Sequence, residues 1–278
     1  MNTRHPHHLA WDGATGPGRT AIARRGGTPD TGMDFDLARL APGEIVDETV
    51  ALETAWLLLD GAADLGLGDG PLAPAARASM ADDAPVCLHL PAGGRVRIVA
   101  RTACEFAVFA TDNDRTFAPM RLDGDRLACD EDRDRGRWHD AAWRIVRTIF
   151  DARNRPDANL VLGEVVTLPG RWSSYPPHHH PQPEIYHYRF PDRRGYGHAE
   201  LGDAVVKVRH GDTTLIVDAN DHSQVAAPGY AMCYVWAIRH LPGAPYTVPE
   251  FTQEHRWLLA PDACVWAPAG RDAAPGGK

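Results

Sequence analysis

Short apolar runs punctuated by Gly, Pro and Asp recur along the whole chain. In the first half they are residues 55–59 (AWLLL) before Asp60-Gly61, 86–90 (VCLHL) before Pro91, 96–100 (VRIVA) and 105–109 (EFAVF). In the second half they are residues 160–168, ending at Pro169-Gly170, then 204–208, 213–217 and 232–238. Runs of this length, β-branched and aromatic and bounded by turn formers, predict strands of an antiparallel sandwich or barrel. Long helical periodicity is absent. Residues 143–150 (WRIVRTIF) read as one short helix or a strand, because the alternation of Ile145, Arg147 and Ile149 is too brief to decide.

The same rhythm in both halves suggests an internal duplication of a sandwich unit. Residues 1–32, rich in Gly, Arg, Thr and Pro, are expected to be a loosely ordered tail, His5, His7 and His8 included. A first β half then covers 33–150, a polar junction lies at 151–157, and a second half covers 151–266. Residues 267–278 are expected to be disordered. The charged insert 112–137 mixes both signs and reads as a solvated excursion without chemistry.

The 278 residues are 44% apolar, enough for a substantial core, and carry a net charge of −8 with no basic block. Nucleic acid and anionic membranes are therefore not expected partners. Five widely spaced cysteines without a CxxC pair argue against a disulfide framework and for a reducing cytoplasm. No apolar run approaches the roughly 20 residues of a membrane span, and the N-terminus lacks the apolar core of a signal peptide.

The densest chemistry lies in residues 172–190, WSSYPPHHHPQPEIYHYRF. Imidazoles and a carboxylate at close spacing are ligands that a borderline divalent metal prefers. In an extended strand His178 and His180 project to one face while His179 points away. Pro181 and Pro183 end that strand. Glu184 then opens another, in which Glu184, Tyr186 and Tyr188 share a face, so a hairpin can bring the carboxylate opposite both imidazoles. His222 stands at a strand edge, after the run 211–217 and the polar turn 218–221.

HxHxxxE followed by a glycine-started strand and a lone histidine resembles the two signature motifs of the cupin superfamily. That resemblance implies an all-β bicupin, two double-stranded β-helix (jelly-roll) halves, with one divalent metal ion (Zn, Mn, Fe or Ni) on His178, His180, Glu184 and His222. Val217 and Ala219 stand where the second motif has Pro and Gly. The first half has no HxH, and its His89 reads as a packed strand residue in a structural cupin without metal. Gly163-Glu164, Pro169-Gly170, the string WSSYPPHHH and Ala227-Pro228-Gly229-Tyr230 are similar to the 5-deoxy-glucuronate isomerase family of inositol catabolism, related to the 4-deoxy-5-ketouronate isomerases. Two departures stand out. Only Pro181-Gln182-Pro183 separates the paired histidines from the glutamate, and Tyr186-His187-Tyr188-Arg189 exchanges an aromatic and an imidazole.

The resemblance implies a metal-dependent aldose–ketose isomerisation of 5-deoxy-D-glucuronate, or a close sugar acid, through an enediol. Tyr186, Tyr188 and Glu164 are the candidates for proton transfer. The substrate carboxylate calls for an arginine. Arg189 follows the motif but alternates outward with His187, and Arg171, Arg193, Arg194 and Arg239 stay open. Tyr234 and Trp236 alternate along a strand that in a cupin lines the cavity, while His240 and His255 read as packing or surface residues. The same ligands would also serve a dioxygenase-type cupin or a non-catalytic sugar-binding one. A homo-oligomer is compatible with this fold.

Overall fold

The structure, a computed structural model, describes residues 5–13 and 16–268. Strands dominate, and the helical segments among the described residues are three short 3-10 turns, Gly124–Arg126, Trp138–Asp140 and Gln253–Leu259. The all-β bicupin expected from the sequence is what the chain forms. Residues 143–150 resolve as a strand, Arg144–Phe150.

The second half is built on a seven-stranded sheet in the order His8–Leu9, Thr213–Ile216, Glu184–Arg189, Met232–Arg239, Leu160–Thr167, Arg144–Phe150 and Cys129–Arg133. A four-stranded sheet containing Tyr196–Leu201 and Ala204–Arg209 faces it. Tyr186, Tyr188, Tyr234, Met232 and Val208 fill the space between them. In the first half Trp56, Leu58, Phe106, Val108 and Ile98 form the equivalent interior.

A third core lies between the halves. Phe35, Leu57 and Phe109 of the first half meet Ile149, Leu160, Ile185 and Val235 of the second. Phe35 stacks on Phe109 at 4.5 Å and meets the His187 ring at 5.2 Å. The central strands are thus buried on both faces, which is why AWLLL reads as a continuous apolar run and not as an alternation. Asp60-Gly61 does not end its strand. The strand Glu53–Leu67 passes through them with a bulge and changes partners there. Gly61 has φ +91°, and a Cβ on it would sit 2.3 Å from the Ala103 carbonyl oxygen, so only glycine permits this bend.

Three expectations about segmentation are corrected. The boundary at 150 is displaced, because Arg144–Phe150 pairs with Leu160–Thr167 and Cys129–Arg133 pairs with Arg144–Phe150. Residues 151–157 are therefore a loop inside the second sheet. Since Met120–Leu122 still pairs with Cys87–Leu90, the crossing between halves falls within 123–128. The insert 112–137 is accordingly a passage and an edge strand, not only a solvated excursion.

The N-terminal segment is tied down where it is described. Gly18–Ala23 extends the first sheet beside Asp34–Leu40, and His8–Leu9 caps the edge strand Thr213–Ile216. Asp212 anchors it, with Oδ2 3.0 Å from His8 Nε2 and Oδ1 accepting from the Trp11 N–H. Polar composition suggested a free tail, but an open sheet edge supplies the backbone partners that such a segment lacks by itself. Residues 267 and 268 are irregular, and the rest of the expected C-terminal tail lies outside the described residues.

Candidate metal centre and active-site pocket

Glu184 opens a central strand, held in register against Ile216 on one side and Ile238 on the other. Its side chain points into the barrel and is buried. The expected hairpin with the histidine segment does not form, because His178–His179 pairs instead with Glu250–Phe251. Pro181-Gln182-Pro183 still brings His180 onto Glu184, with Nε2 and Oε2 3.2 Å apart. His222 reaches the same carboxylate oxygen at 3.3 Å. His180, Glu184 and His222 offer ligand atoms all within 4.8 Å of one another, a group able to hold a metal ion. His178 lies outside that set of distances, but its ring is 4.8 Å from that of His222 and lines the same cavity.

The three imidazoles share one device. His178 Nδ1 is 3.0 Å from the Pro176 carbonyl oxygen, His180 Nδ1 is 2.9 Å from that of Gln182, and His222 Nδ1 is 2.9 Å from that of Asn220. A carbonyl only accepts, so Nδ1 carries the hydrogen, and in a neutral ring Nε2 is left as a lone pair. Burial pushes the pKa of His178 well down, and it lowers that of His222 as well. The Nε2 lone pairs of His180 and His222 then converge on a carboxylate oxygen, an arrangement that repels itself unless a cation sits among them. The donor set and its tautomers fit a borderline divalent metal.

The pocket around this centre has a volume of about 320 Å³. Tyr186, Tyr234 and Trp236 form one wall, as the sequence suggested for the last two. Ser174 Oγ lies 3.0 Å from Tyr186 Oη and 3.1 Å from Tyr234 Oη, and Tyr234 Oη donates to Ser173 Oγ at 3.1 Å. The paired serines of WSSYPP therefore orient the tyrosine hydroxyls. Burial, and next the neighbouring Glu184 charge, push the Tyr186 hydroxyl well above its usual range, so it stays protonated. Gly163 stands opposite Trp236, where a Cβ would lie 2.2 Å from the indole.

Four of the proposed site residues lie elsewhere. Tyr188 is behind the wall, its hydroxyl 2.9 Å from Thr214 Oγ1 and donating to Gln224 Oε1 at 2.8 Å. Glu164 faces the first half, where Oε1 accepts from Arg77 Nη2 at 2.5 Å and from Arg147 Nη1 at 3.0 Å. Arg189 also faces the first half and binds Asp60 and Glu105, so the face of its strand that reads as outward is the interface between halves. Arg171 donates to the His139 carbonyl away from the pocket. Among the open candidates, Arg194 pairs with Asp192 and Arg239 with Asp112, while Arg193 lines a different cavity. His179, the bystander, places Nδ1 3.0 Å from Asp221 Oδ1, and Thr252 Oγ1 donates to the same carboxylate.

Sequence reading missed the opposite wall, where Arg133, Asp134, Arg144, Tyr246 and Phe251 line the pocket. The Tyr246 ring is 4.9 Å from His180 and the Phe251 ring 5.7 Å from His178. The available signal was an arginine in an apolar strand, Arg144, which had to be either exposed or paired.

A profile of the KduI/IolB family matches residues 19–258. Among curated proteins, the 5-deoxy-glucuronate isomerase of Shouchella clausii (strain KSM-K16) is 29% identical over 134 residues, covering 42% of this chain and 48% of that protein. The protein of the same name from Geobacillus thermodenitrificans (strain NG80-2) is 28% identical over 194 residues, 63% of this chain and 66% of that protein. The chain thus spans about half the length of the first relative and just under two thirds of the second. Among solved structures, an IolB-like protein from Salmonella typhimurium LT2 superposes with a TM-score of 0.78 at 18% identity, over 91% of this chain and 99% of that one. A variant of Bacillus subtilis oxalate decarboxylase superposes with a TM-score of 0.64 at 12% identity, over 94% and 83%. At these identities the structural likeness is one of fold.

Proposed function

The chain belongs to the KduI/IolB family, and from that premise we propose that it is a metal-dependent isomerase of an acidic sugar, converting 5-deoxy-D-glucuronate to 5-dehydro-2-deoxy-D-gluconate. The observation that carries the reading is the convergence of His180 and His222 on Glu184, each imidazole pinned through Nδ1 to a backbone carbonyl. We assign His178, His180, Glu184 and His222 as the ligands, and the relatives' names supply the substrate.

Aldose–ketose isomerisation moves a proton from C2 to C1 while negative charge grows on the two neighbouring oxygens. A bound divalent cation supplies Lewis-acid stabilisation of that charge. The chain's own residues do the rest. Tyr186, held protonated and oriented by Ser174, donates a hydrogen bond to a substrate oxygen. Tyr234 and Trp236 close the apolar side and keep water from the carbanionic carbon. The free thiols suit a reducing compartment such as the cytoplasm. Among the described residues no helix is long and apolar enough to cross a membrane.

The test is turnover of 5-deoxy-glucuronate by chelator-treated and metal-restored protein, with bound metal measured in parallel. Turnover is expected only after metal is restored, and His222→Ala should lose both metal and turnover. Metal-loaded protein that leaves the sugar acid unchanged refutes the reading.

A further inference from the structure

We propose that Arg133 and Arg144 form the subsite that receives the carboxylate of the acidic sugar, an inference that rests on the isomerase reading above. The two residues are direct cross-strand partners on the hairpin formed by Cys129–Arg133 and Arg144–Phe150. Like charges directly opposite one another destabilise a strand pair unless an anion offsets them. Both side chains line the cavity that holds the histidines and Glu184, and no other arginine or lysine among the described residues does.

The anions already present leave donors over. Asp134 Oδ2 accepts from Arg144 Nη1 at 2.6 Å, but Asp134 also pairs with Arg137 at 3.3 Å. Arg144 spends two more N–H groups on the carbonyls of Ala142 and Tyr175. Among the described residues its Nε–H and one Nη2–H have no hydrogen-bond acceptor. Arg133 binds Glu131 through Nε and Nη2 at the half-exposed rim, leaving Nη1 without a partner among the described residues. Arg144 is 5% exposed and lines the cavity together with His178 and Tyr234, so it sits at the end that holds the candidate metal ligands. One arginine on the floor and one at the rim give a carboxylate hydrogen-bond donors from two sides.

Charge points the same way. The ionic side chains lining the cavity, apart from the histidines, are Arg133, Arg144, Asp134 and Glu184, two of each sign. Two positive and two negative charges sum to zero, so a bound divalent cation makes the pocket a doubly positive well. A monoanionic sugar neutralises part of it, whereas a neutral sugar does not.

The experiment titrates the metal-loaded full chain with glucuronate and with glucuronamide, which replaces the carboxylate by a neutral amide of the same shape. Hydrogen bonds to a charged group predict about tenfold or greater preference of the wild type for the acid. Arg133→Gln should lose about that factor for the acid and leave amide affinity within about twofold. Arg144→Lys, which keeps the charge and changes the fork, should weaken acid binding in the same direction. Equal binding of acid and amide by the wild type overturns the subsite without any variant. An Arg133→Gln protein that binds the acid as tightly as wild type also overturns it. Selective acid binding with no isomerisation of 5-deoxy-glucuronate would refute the activity while the subsite stands. Isomerisation without acid preference would do the reverse.

Discussion

Replacing Glu164 by Gln removes a charge and keeps the shape. Glu164 was a candidate base in sequence, but its carboxylate lies between two buried guanidiniums, Arg77 of the first half and Arg147 of the second. Arg77 and Glu164 side chains are 0% and 1% exposed, and that of Arg147 is 8% exposed. The arginines' other hydrogen-bond partners are neutral carbonyls, those of Leu58 and Asp83 for Arg77 and of Met80, Ala81 and Asp83 for Arg147, and the one further carboxylate near Arg147, that of Asp130 at 3.8 Å, is half exposed. In Glu164→Gln this buried cluster keeps both positive charges and loses its one buried carboxylate. Breaking a buried ion pair by removing one partner costs about 3–5 kcal/mol, which for a chain of this size lowers Tm by roughly 6–20 °C. Thermal unfolding of metal-saturated protein reads this, with bound metal and kcat measured on the folded fraction at 20 °C or below. Metal stoichiometry and kcat per folded molecule should stay close to wild type. The combination Arg77→Met, Glu164→Leu and Arg147→Met should recover most of the stability, since an apolar replacement carries no buried charge. An unchanged Tm with kcat reduced a thousandfold would refute the structural reading and return Glu164 to the chemistry.

Other outcomes follow from the same geometry. Tyr188→Phe removes the buried hydroxyl that pairs with Thr214 Oγ1 and Gln224 Oε1 and should cost about 1–3 kcal/mol of stability while kcat holds within about twofold, so a large kcat loss at unchanged denaturant midpoint would make Tyr188 catalytic. Asp221→Ala frees His179 and Thr252 together, loosening the His222 loop from the strand beside His178. Metal affinity measured by competition with a chelating dye should fall about 10–100-fold, and unchanged affinity would remove the clasp from the account. Burial holds the pKa of His187 well below its ordinary value, and among the described residues Nε2 has no hydrogen-bond partner. A histidine depressed in the folded state takes up its proton more readily when unfolded. Its contribution is fully present above about pH 6.5 and is lost as pH falls below that, by about 1.4 kcal/mol per pH unit for each proton excluded. Urea midpoints between pH 7.5 and 5 should therefore fall, and His187→Leu should flatten that slope; an identical slope in the variant would contradict it.

What the sequence determined by itself was everything that depends on near neighbours. Turn formers between short β-branched runs specify strands, and residues 160–167, 213–216 and 232–239 form them. Strand parity separates His178 and His180 from His179, and sets Glu184 and Tyr186 apart from His187 and Arg189. The string WSSYPPHHH carries its own geometry, since Ser174 reaches Tyr186 twelve residues on. Parity says which side chains share a face and not what that face meets. Only the tertiary structure decided that the face of Glu184–Arg189 opposite the candidate metal ligands lies on the first half and not in water. There Arg189 meets Asp60 and Glu105, 129 and 84 residues away, and Glu164 meets Arg77, 87 residues away. Tertiary structure likewise folded Arg133 and Asp134 of the charged stretch back over the pocket of the candidate metal ligands, beside Arg144. A charged side chain is buried only where another charge or a hydrogen-bond partner meets it. When that partner is distant in the chain, no local pattern can tell a solvated charge from a buried one.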